Sequence, residues 1–391
     1  MEDIYVVESL RTPFGSFGGG LADVDAPHLA GTVMQMLSER ADIDPAVINE
    51  VIVGQVLSGG AGQAPARQAM RYAGLPDSVH AMTINKVCGS GLKAIMLGAG
   101  SIALGDSEVV IAGGMENMTL APFILKKARY GYRMGHGELL DLMVYDGLQD
   151  PYTGKHMGEI ADASAARHGL SREAQDEYAI RSYQLAQKAV KEGIFRDEIV
   201  PVVKKSKKGE EVIAEDEEPF KVDFKKLKQL RPAFTKDGTV TAGNASTIND
   251  GAALTLLAGE AALKKYGLKP RARLVAYSTG SLSPDLFPDA PVGAIESVCS
   301  RAGVEPSEID LFEINEAFSA VAMIAIKQLN LDLEKVNVNG GAVALGHPIG
   351  ASGGRLVATL VRELNKRQVR YGLATLCIGG GEAVAAIFER V

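Results

Sequence analysis

One pattern occurs twice in this chain, and it restricts the fold more than any other feature. Asp44-Pro45-Ala46-Val47-Ile48-Asn49-Glu50-Val51-Ile52-Val53 is matched by Glu305-Pro306-Ser307-Glu308-Ile309-Asp310-Leu311-Phe312-Glu313-Ile314. Each copy has an acid-proline pair, an isoleucine at a fixed offset and a strand-like run. Upstream of each lies a helix-period segment, Leu29, Val33, Leu37 in one and Ala294, Val298, Ala302 in the other. Each copy opens on a strand candidate, Ile4–Val7 or Leu274–Tyr277, and closes on a glycine-rich run, Val109–Glu116 or Leu376–Glu382. Several matches in one order indicate a duplicated βαβ-type half. With 391 residues the chain is also long for a single hydrophobic core.

The second copy runs directly into the strand-like Ala383–Phe388, whereas the first reaches its counterpart, Ala252–Leu257, only after a long excursion. The expected organisation is therefore a first half of residues 1–117 with 250–270, an insertion of residues 118–249, and a second half of residues 271–391. The insertion carries a helical segment, Glu173–Glu192, and a charged stretch from Lys204 to Lys228 that reads mostly as solvated loop. Insertions at strand ends are where substrate-holding loops usually sit.

Three glycine-embedded segments carry chemistry: Asn85-Lys86-Val87-Cys88-Gly89-Ser90-Gly91, Gly346-His347-Pro348-Ile349-Gly350, and Cys377-Ile378-Gly379-Gly380-Gly381-Glu382. Glycine lets backbone approach a ligand closely, and a thiol with an imidazole base is a standard nucleophile pairing. Cys88 falls between strand-like residues and a helix-forming run to about Leu104. A helix start should favour thiolate and lower the thiol pKa. His347, with five glycines between Gly340 and Gly353, is poorly explained by core packing. Cys377 also reads as a buried strand cysteine between Leu376 and Ile378. Cys299, inside an amphipathic pattern with no glycine nearby, reads as packing only, and His28, His80, His136 and His168 show no metal spacing.

Charge and targeting narrow the field. A net charge of −7 gives no reason to expect a nucleic-acid partner. Three cysteines without CxxC spacing argue against a disulfide framework and for a reducing cytoplasm. The acidic start Met1-Glu2-Asp3-Ile4 lacks a signal or transit pattern, and no apolar run is expected to approach membrane-spanning length.

The three segments together resemble the catalytic blocks of the thiolases, the acyl-CoA acetyltransferases, and the resemblance covers nearly the whole chain. It implies a duplicated five-layered α/β/α/β/α thiolase fold, with two mixed sheets, one per half, and an inserted loop domain over the active site. The implied reaction is reversible Claisen condensation of two acetyl-CoA to acetoacetyl-CoA and CoA, or thiolysis of a short-chain 3-ketoacyl-CoA. By resemblance Cys88 carries the acyl group, His347 activates it, and Cys377 is the acid/base for the methyl proton. Asn315 would hold a water in one oxyanion hole, and the amides of Cys88 and Gly379 would form the other.

Position within the family's blocks implies that Leu148, His156, Met157, Phe234, Ala242, Ser246, Ala317 and Phe318 line the CoA side, with Lys221 near the CoA phosphates. Phe287-Pro288 and Tyr183 resemble the acetoacetyl-CoA branch, which tolerates a 2-methyl group. In that branch residues matching Tyr183, Ala242, Gly243, Ala245 and Val343 bind potassium. No cofactor is implied beyond coenzyme A as substrate and product. Thiolases form dimers or tetramers, and Lys126–Arg133 resembles the segment joining two dimers, so a homotetramer is expected. A β-ketoacyl synthase would carry a second histidine where this chain has Cys377. An idle thiolase-like binding partner would have lost Cys88, His347 or Cys377, and all three are present.

Overall fold

The structure is a computed structural model, and it describes residues 2–206 and 209–391; Met1 and, from the charged stretch, Lys207 and Lys208 lie outside the described residues. The first half contains β1 (Ile4–Arg11), β2 (Gly15–Ser16), α1 (Ala26–Ala41), β3 (Glu50–Gly54), α2 (Pro65–Tyr72), β4 (His80–Ile84), α3 (Ser90–Leu104) and β5 (Val109–Asn117). The chain then leaves the sheet. It forms the small pair β6 (Phe123–Ile124) and β7 (Leu140–Asp141), helices α4 (Met157–Arg167) and α5 (Arg172–Lys191), the hairpin β8 (Val202–Ser206) and β9 (Gly209–Ile213), and α6 (Phe224–Leu227). It re-enters with β10 (Asn249–Gly259), which pairs with β5, and α7 (Glu260–Tyr266) follows. The second half contains β11 (Ala272–Ser281), α8 (Ala290–Ala302), β12 (Leu311–Ile314), α9 (Ser319–Leu329), α10 (Ala342–Leu345), α11 (Ser352–Arg367), β13 (Tyr371–Ile378) and β14 (Glu382–Arg390).

Local chemistry sets these boundaries. Asp25 caps α1, accepting from the His28 amide, and Pro27 occupies its first turn, where a missing N–H is harmless. The acid-proline pairs form short 3₁₀ turns, Pro45–Val47 and Pro306–Glu308, that feed β3 and β12. Proline fixes φ at the turn start in both copies.

The duplication is visible in the ladders. Val6 of β1 pairs with Leu257 of β10, and Leu274 of β11 pairs with Phe388 of β14. Each ladder then slips by one residue at the same place, between Val6 and Glu8 and between Leu274 and Ala276. Five residues back from Leu257 and from Phe388 are Ala252 and Ala383, whose partners are Met115 and Cys377. Met115 therefore occupies the place in the first half that Cys377 occupies in the second.

Sheet order is β12-β13-β14-β11-β1-β10-β5-β3-β4, with β2 on β10. This revises the expected pair of separate sheets. The first strands of the two halves pair antiparallel, Ile4 with Leu274 through Val6 with Ala272, and join both half-sheets into ten strands. The layering follows from which side chains share a core. Residues of α1 and α2 pack with the outer face of the first half, such as Leu254 and Leu256. Those of α3 and α11 pack between the halves against Leu257, Val384 and Phe388. Those of α8 and α9 cover the outer face of the second half against Ala385 and Ile387. Alternation along β10 and β14 supplies both faces.

One expectation from composition fails. Val87–Leu104 is long and apolar enough to cross a membrane by length and composition, and it takes in the central helix α3, whose apolar residues pack between the halves. A helix with sheet on both sides has little need of a polar face.

Candidate active site

The turn between β4 and α3 presents Cys88. Val87 sits at φ +44, an unusual conformation for a β-branched residue. The turn is tied on both sides: the Asn85 Oδ1 accepts from the Val87 amide at 2.9 Å, and the Ser90 hydroxyl accepts from the Lys86 amide at 2.8 Å while donating to the Val87 carbonyl at 2.7 Å. Lys86 Nζ reaches Glu382 Oε2 at 2.5 Å, joining this turn to the Cys377 loop. A Cβ on Gly89 would lie 2.4 Å from Ile378 Cδ1, so the residue after Cys88 has no room for a side chain.

Cys88 is half-buried, and burial pushes its thiol up to about 11. The Gly379 amide, which hydrogen-bonds it, acts in the opposite direction and is outweighed. The thiolate expected from a helix start is therefore corrected: desolvation outweighs the backbone amides of Gly379 and Cys88. Cys377, next to the end of β13, is buried, and burial followed by the neighbouring Cys88 sets its pKa well above the ordinary value.

His347 lies in the loop between α10 and α11. Its Nδ1 is 2.5 Å from the Ser352 hydroxyl, which itself donates to the Pro348 carbonyl at 2.9 Å. A hydroxyl has one hydrogen, so Ser352 accepts from Nδ1–H, and Nε2 is left as the basic nitrogen. The Asn315 Nδ2 donates toward that Nε2 at 3.4 Å, and Asn315 Oδ1 is buried without a hydrogen-bond partner. Burial, then the Arg355 charge, push the imidazole down to about 3, so it is neutral across the physiological range. The His347 amide is fixed by Asn249 Oδ1 at 3.0 Å.

A cavity of about 210 Å³ brings Cys88, His347, Cys377 and Gly379 together. Leu148, His156, Met157, Phe234, Ala245, Ser246, Phe287, Ala317 and Phe318 are part of its wall. His156 caps α4: its Nδ1 accepts from the Gly158 amide at 3.1 Å, leaving the hydrogen on Nε2, and burial lowers its pKa. Its ring stacks on Phe234 at 4.8 Å, and Phe318 meets both Phe234 and Phe287. Asp162 of α4 holds the Phe234 loop by accepting from Thr235 Oγ1, Thr239 N and Val240 N at 2.7–2.8 Å.

Other sequence candidates stand apart from this wall. Asn315 is outside the cavity lining, with its Nδ2 3.4 Å from His347 Nε2. Lys221 bonds the Ser16 hydroxyl beside Glu217 and Glu218. Ala242 is exposed. Tyr183 and Val343 meet in a buried cluster with Leu227, and a Cβ on Gly243 would touch Leu227 at 2.8 Å. Burial, then the charges of Glu218 and Glu316, raise the Tyr183 pKa. Met118, Gly147, Thr247, Ile248 and Ile349 also line the cavity. Ile349 was signalled by its place in the His347 loop, and Gly147, Thr247 and Ile248 by the segments of Leu148 and Ser246; Met118 was not anticipated.

A positioned thiol with a neutral imidazole base, a second buried thiol and an amide aimed at the first sulfur can form and break a thioester. Comparison with known proteins agrees. The thiolase N-terminal domain model matches residues 4–261 and the thiolase C-terminal domain model residues 268–390. An acetyl-CoA acetyltransferase of Chromobacterium violaceum is 50% identical over 390 residues, covering 99% of this chain and 100% of that protein. One of Cupriavidus necator is 49% identical over 392 residues, covering 100% of both. The crystal structure of the Bacillus anthracis acetyl-CoA acetyltransferase superposes with a TM-score of 0.98 at 43% identity, over 100% of this chain and 99% of that one.

Proposed function

The chain belongs to the thiolase family, and from that premise we propose that it is an acetyl-CoA C-acetyltransferase. It condenses two acetyl-CoA to acetoacetyl-CoA and CoA, or cleaves short-chain 3-ketoacyl-CoA with CoA. The observation that carries this reading is the convergence of Cys88, His347, Cys377 and Gly379 on one cavity.

His347 Nε2 takes the Cys88 proton as the sulfur attacks the acyl carbon. The oxyanion forms against the amides of Cys88 and Gly379, and CoA leaves as the thiol with the proton from His347. In the second half-reaction Cys377 gives its proton to His347 Nε2 and, as thiolate, removes a methyl proton from acetyl-CoA. The enolate oxygen lies against the Nε2–H so formed and a water held by Asn315, whose free Oδ1 supports that role. The carbanion attacks the Cys88 thioester, and the expelled Cys88 thiolate takes the proton from His347, leaving Cys377 as the thiol. Thiolysis is the reverse.

The apolar wall around Phe234, Phe287 and Phe318 suits a pantetheine arm and a short acyl group. Potassium binding by Tyr183 with the carbonyls of Ala242, Gly243, Ala245 and Val343 is part of the proposal; Tyr183, Val343 and Gly243 share the neighbour Leu227. So is a homotetramer at work in the cytoplasm, where two reactive thiols stay reduced.

The test is release of acetyl-CoA from acetoacetyl-CoA and CoA, with 2-methylacetoacetyl-CoA and a six-carbon 3-ketoacyl-CoA in parallel. Thiolysis fastest with acetoacetyl-CoA or its 2-methyl form is expected. No thiolysis of any of the three would overturn the assignment. Equal rates in potassium and sodium at constant ionic strength would remove the cation site alone.

A further inference from the structure

Three backbone amides from two loops converge on one buried carboxylate. Glu116, the penultimate residue of β5 before the insertion, is fully buried. Its Oε2 accepts from the amides of Val56 at 3.0 Å and Gly350 at 2.9 Å, and its Oε1 accepts from that of Leu57 at 3.1 Å. Gly350 closes the loop that begins at His347. A Cβ there would lie 2.6 Å from Glu116 Oε2 and 2.7 Å from the Met115 carbonyl, so the loop is built to touch this carboxylate. Leu57, which carries one bound amide, and Ile349, next to another, share an apolar cluster with Met118 that Cys88 packs against. One side chain therefore ties the base-bearing loop to the segment that follows β3.

The duplication shows what this place is. Met115 stands where Cys377 stands in the other half. The helices α3 and α11 start at Ser90 and Ser352, so Gly350 occupies the place of Cys88, two residues before the helix. The amide of Gly350 is thus the mate of the Cys88 amide assigned to the reacting oxygen. In one half the helix-start amide is open to the cavity; in the other it is filled by Glu116.

We propose that Glu116 is a positioning residue, a carboxyl group seated in the mate of the oxyanion site that fixes the His347 loop for acyl transfer. This rests on the thiolase reaction proposed above. Two acceptor oxygens are needed: an amide in either orientation turns N–H groups toward at least one of the three backbone donors.

The experiment compares Glu116→Gln and Glu116→Asp with the unsubstituted enzyme in thiolysis of acetoacetyl-CoA, alongside Cys88 acetylation by acetyl-CoA in a single turnover. In Glu116→Gln, kcat and the acetylation rate should fall roughly 10- to 100-fold, the scale of a loss in alignment, while KM moves less than about threefold. Glu116→Asp keeps both oxygens on a shorter stem and should recover part of both rates; it carries the test if the Gln variant does not fold. The inference is overturned if a folded variant keeps its kcat, if kcat falls only with the fraction of folded protein, or if KM takes the whole effect. An unsubstituted protein without thiolysis would instead remove the proposed function, and this inference with it.

Discussion

At the scale of single residues, the two sulfurs and the imidazole are held neutral by burial. With its pKa pushed up to about 11, Cys88 is almost wholly thiol at pH 7, and His347, pushed down to about 3, is neutral. The thiolate is therefore made during the reaction rather than stored. Alkylation of Cys88 by iodoacetamide should rise close to tenfold per pH unit between about pH 7 and 10, because the thiolate is the nucleophile. Cys88 should still react before Cys299, which is 2% exposed within α8, and acetyl-CoA should protect it. A rate already level at neutral pH would mean a stabilised thiolate and would refute this account. The second sulfur can be separated from the first. Cys377→Ser keeps the nucleophile and both oxyanion sites, so Cys88 should still take an acetyl group from acetyl-CoA, detected by mass spectrometry. Turnover should drop on the order of 10²-fold or more for loss of a positioned acid/base. In Cys88→Ser the acetyl-enzyme should not accumulate. Near-normal turnover in Cys377→Ser would contradict the division of roles.

Elements position these groups through a few polar ties. The turn from β4 to α3 holds Val87 at φ +44 largely through the Ser90 hydroxyl, which serves both the Lys86 amide and the Val87 carbonyl. Ser90→Ala removes both bonds at a buried position and should cost about 1–3 kcal/mol in chemical denaturation, with slower Cys88 acetylation; unchanged values for both would show the turn is set by packing alone. A second tie joins β12 to α11: Arg355 Nη1 bonds Glu313 Oε2 at 2.6 Å, both residues are buried, and Arg355 Nε and Nη2 have no hydrogen-bond partner. Glu313→Gln leaves that guanidinium uncompensated and should destabilise by about 3–5 kcal/mol. A loss under 1 kcal/mol would indicate that water reaches the pair. Some of this was legible in the sequence. The acid-proline turns, the strands they feed, the helix Arg172–Lys191 and the three glycine-rich segments all carry local signals. The sign of the Cys88 shift was not, since a helix start is visible in sequence and desolvation is a property of the whole site. Glu116 looked like one more charged residue after two glycines; its three amide partners come from segments remote in sequence.

For the whole molecule, the ten-stranded sheet was beyond sequence reading for the same reason. Pairing of Ile4–Val6 with Ala272–Leu274 depends on how the two halves meet, and neither strand signals its partner. The same limit applies to contacts between chains. The segment between β6 and β7 holds Tyr130 at 90% and Met134 at 100% exposure, with Phe123 and Leu139 each at 59%. Single exposed apolar residues are ordinary, but several gathered on one segment are the kind of surface a partner chain would cover. Lys126 folds back onto the Tyr145 ring at 4.0 Å, so the base of this segment is anchored to the body while its tip projects. We expect the tip to join two dimers into the proposed homotetramer. The double substitution Tyr130→Glu with Met134→Glu places two charges at the most exposed positions, where a buried, unpaired charge is disfavoured. Light scattering should give a mass near four chains for the unsubstituted protein and near two for the variant, with the circular dichroism spectrum unchanged. A variant that remains tetrameric would place the joint elsewhere, and an unsubstituted protein that is already dimeric would show that this tip has another partner or none.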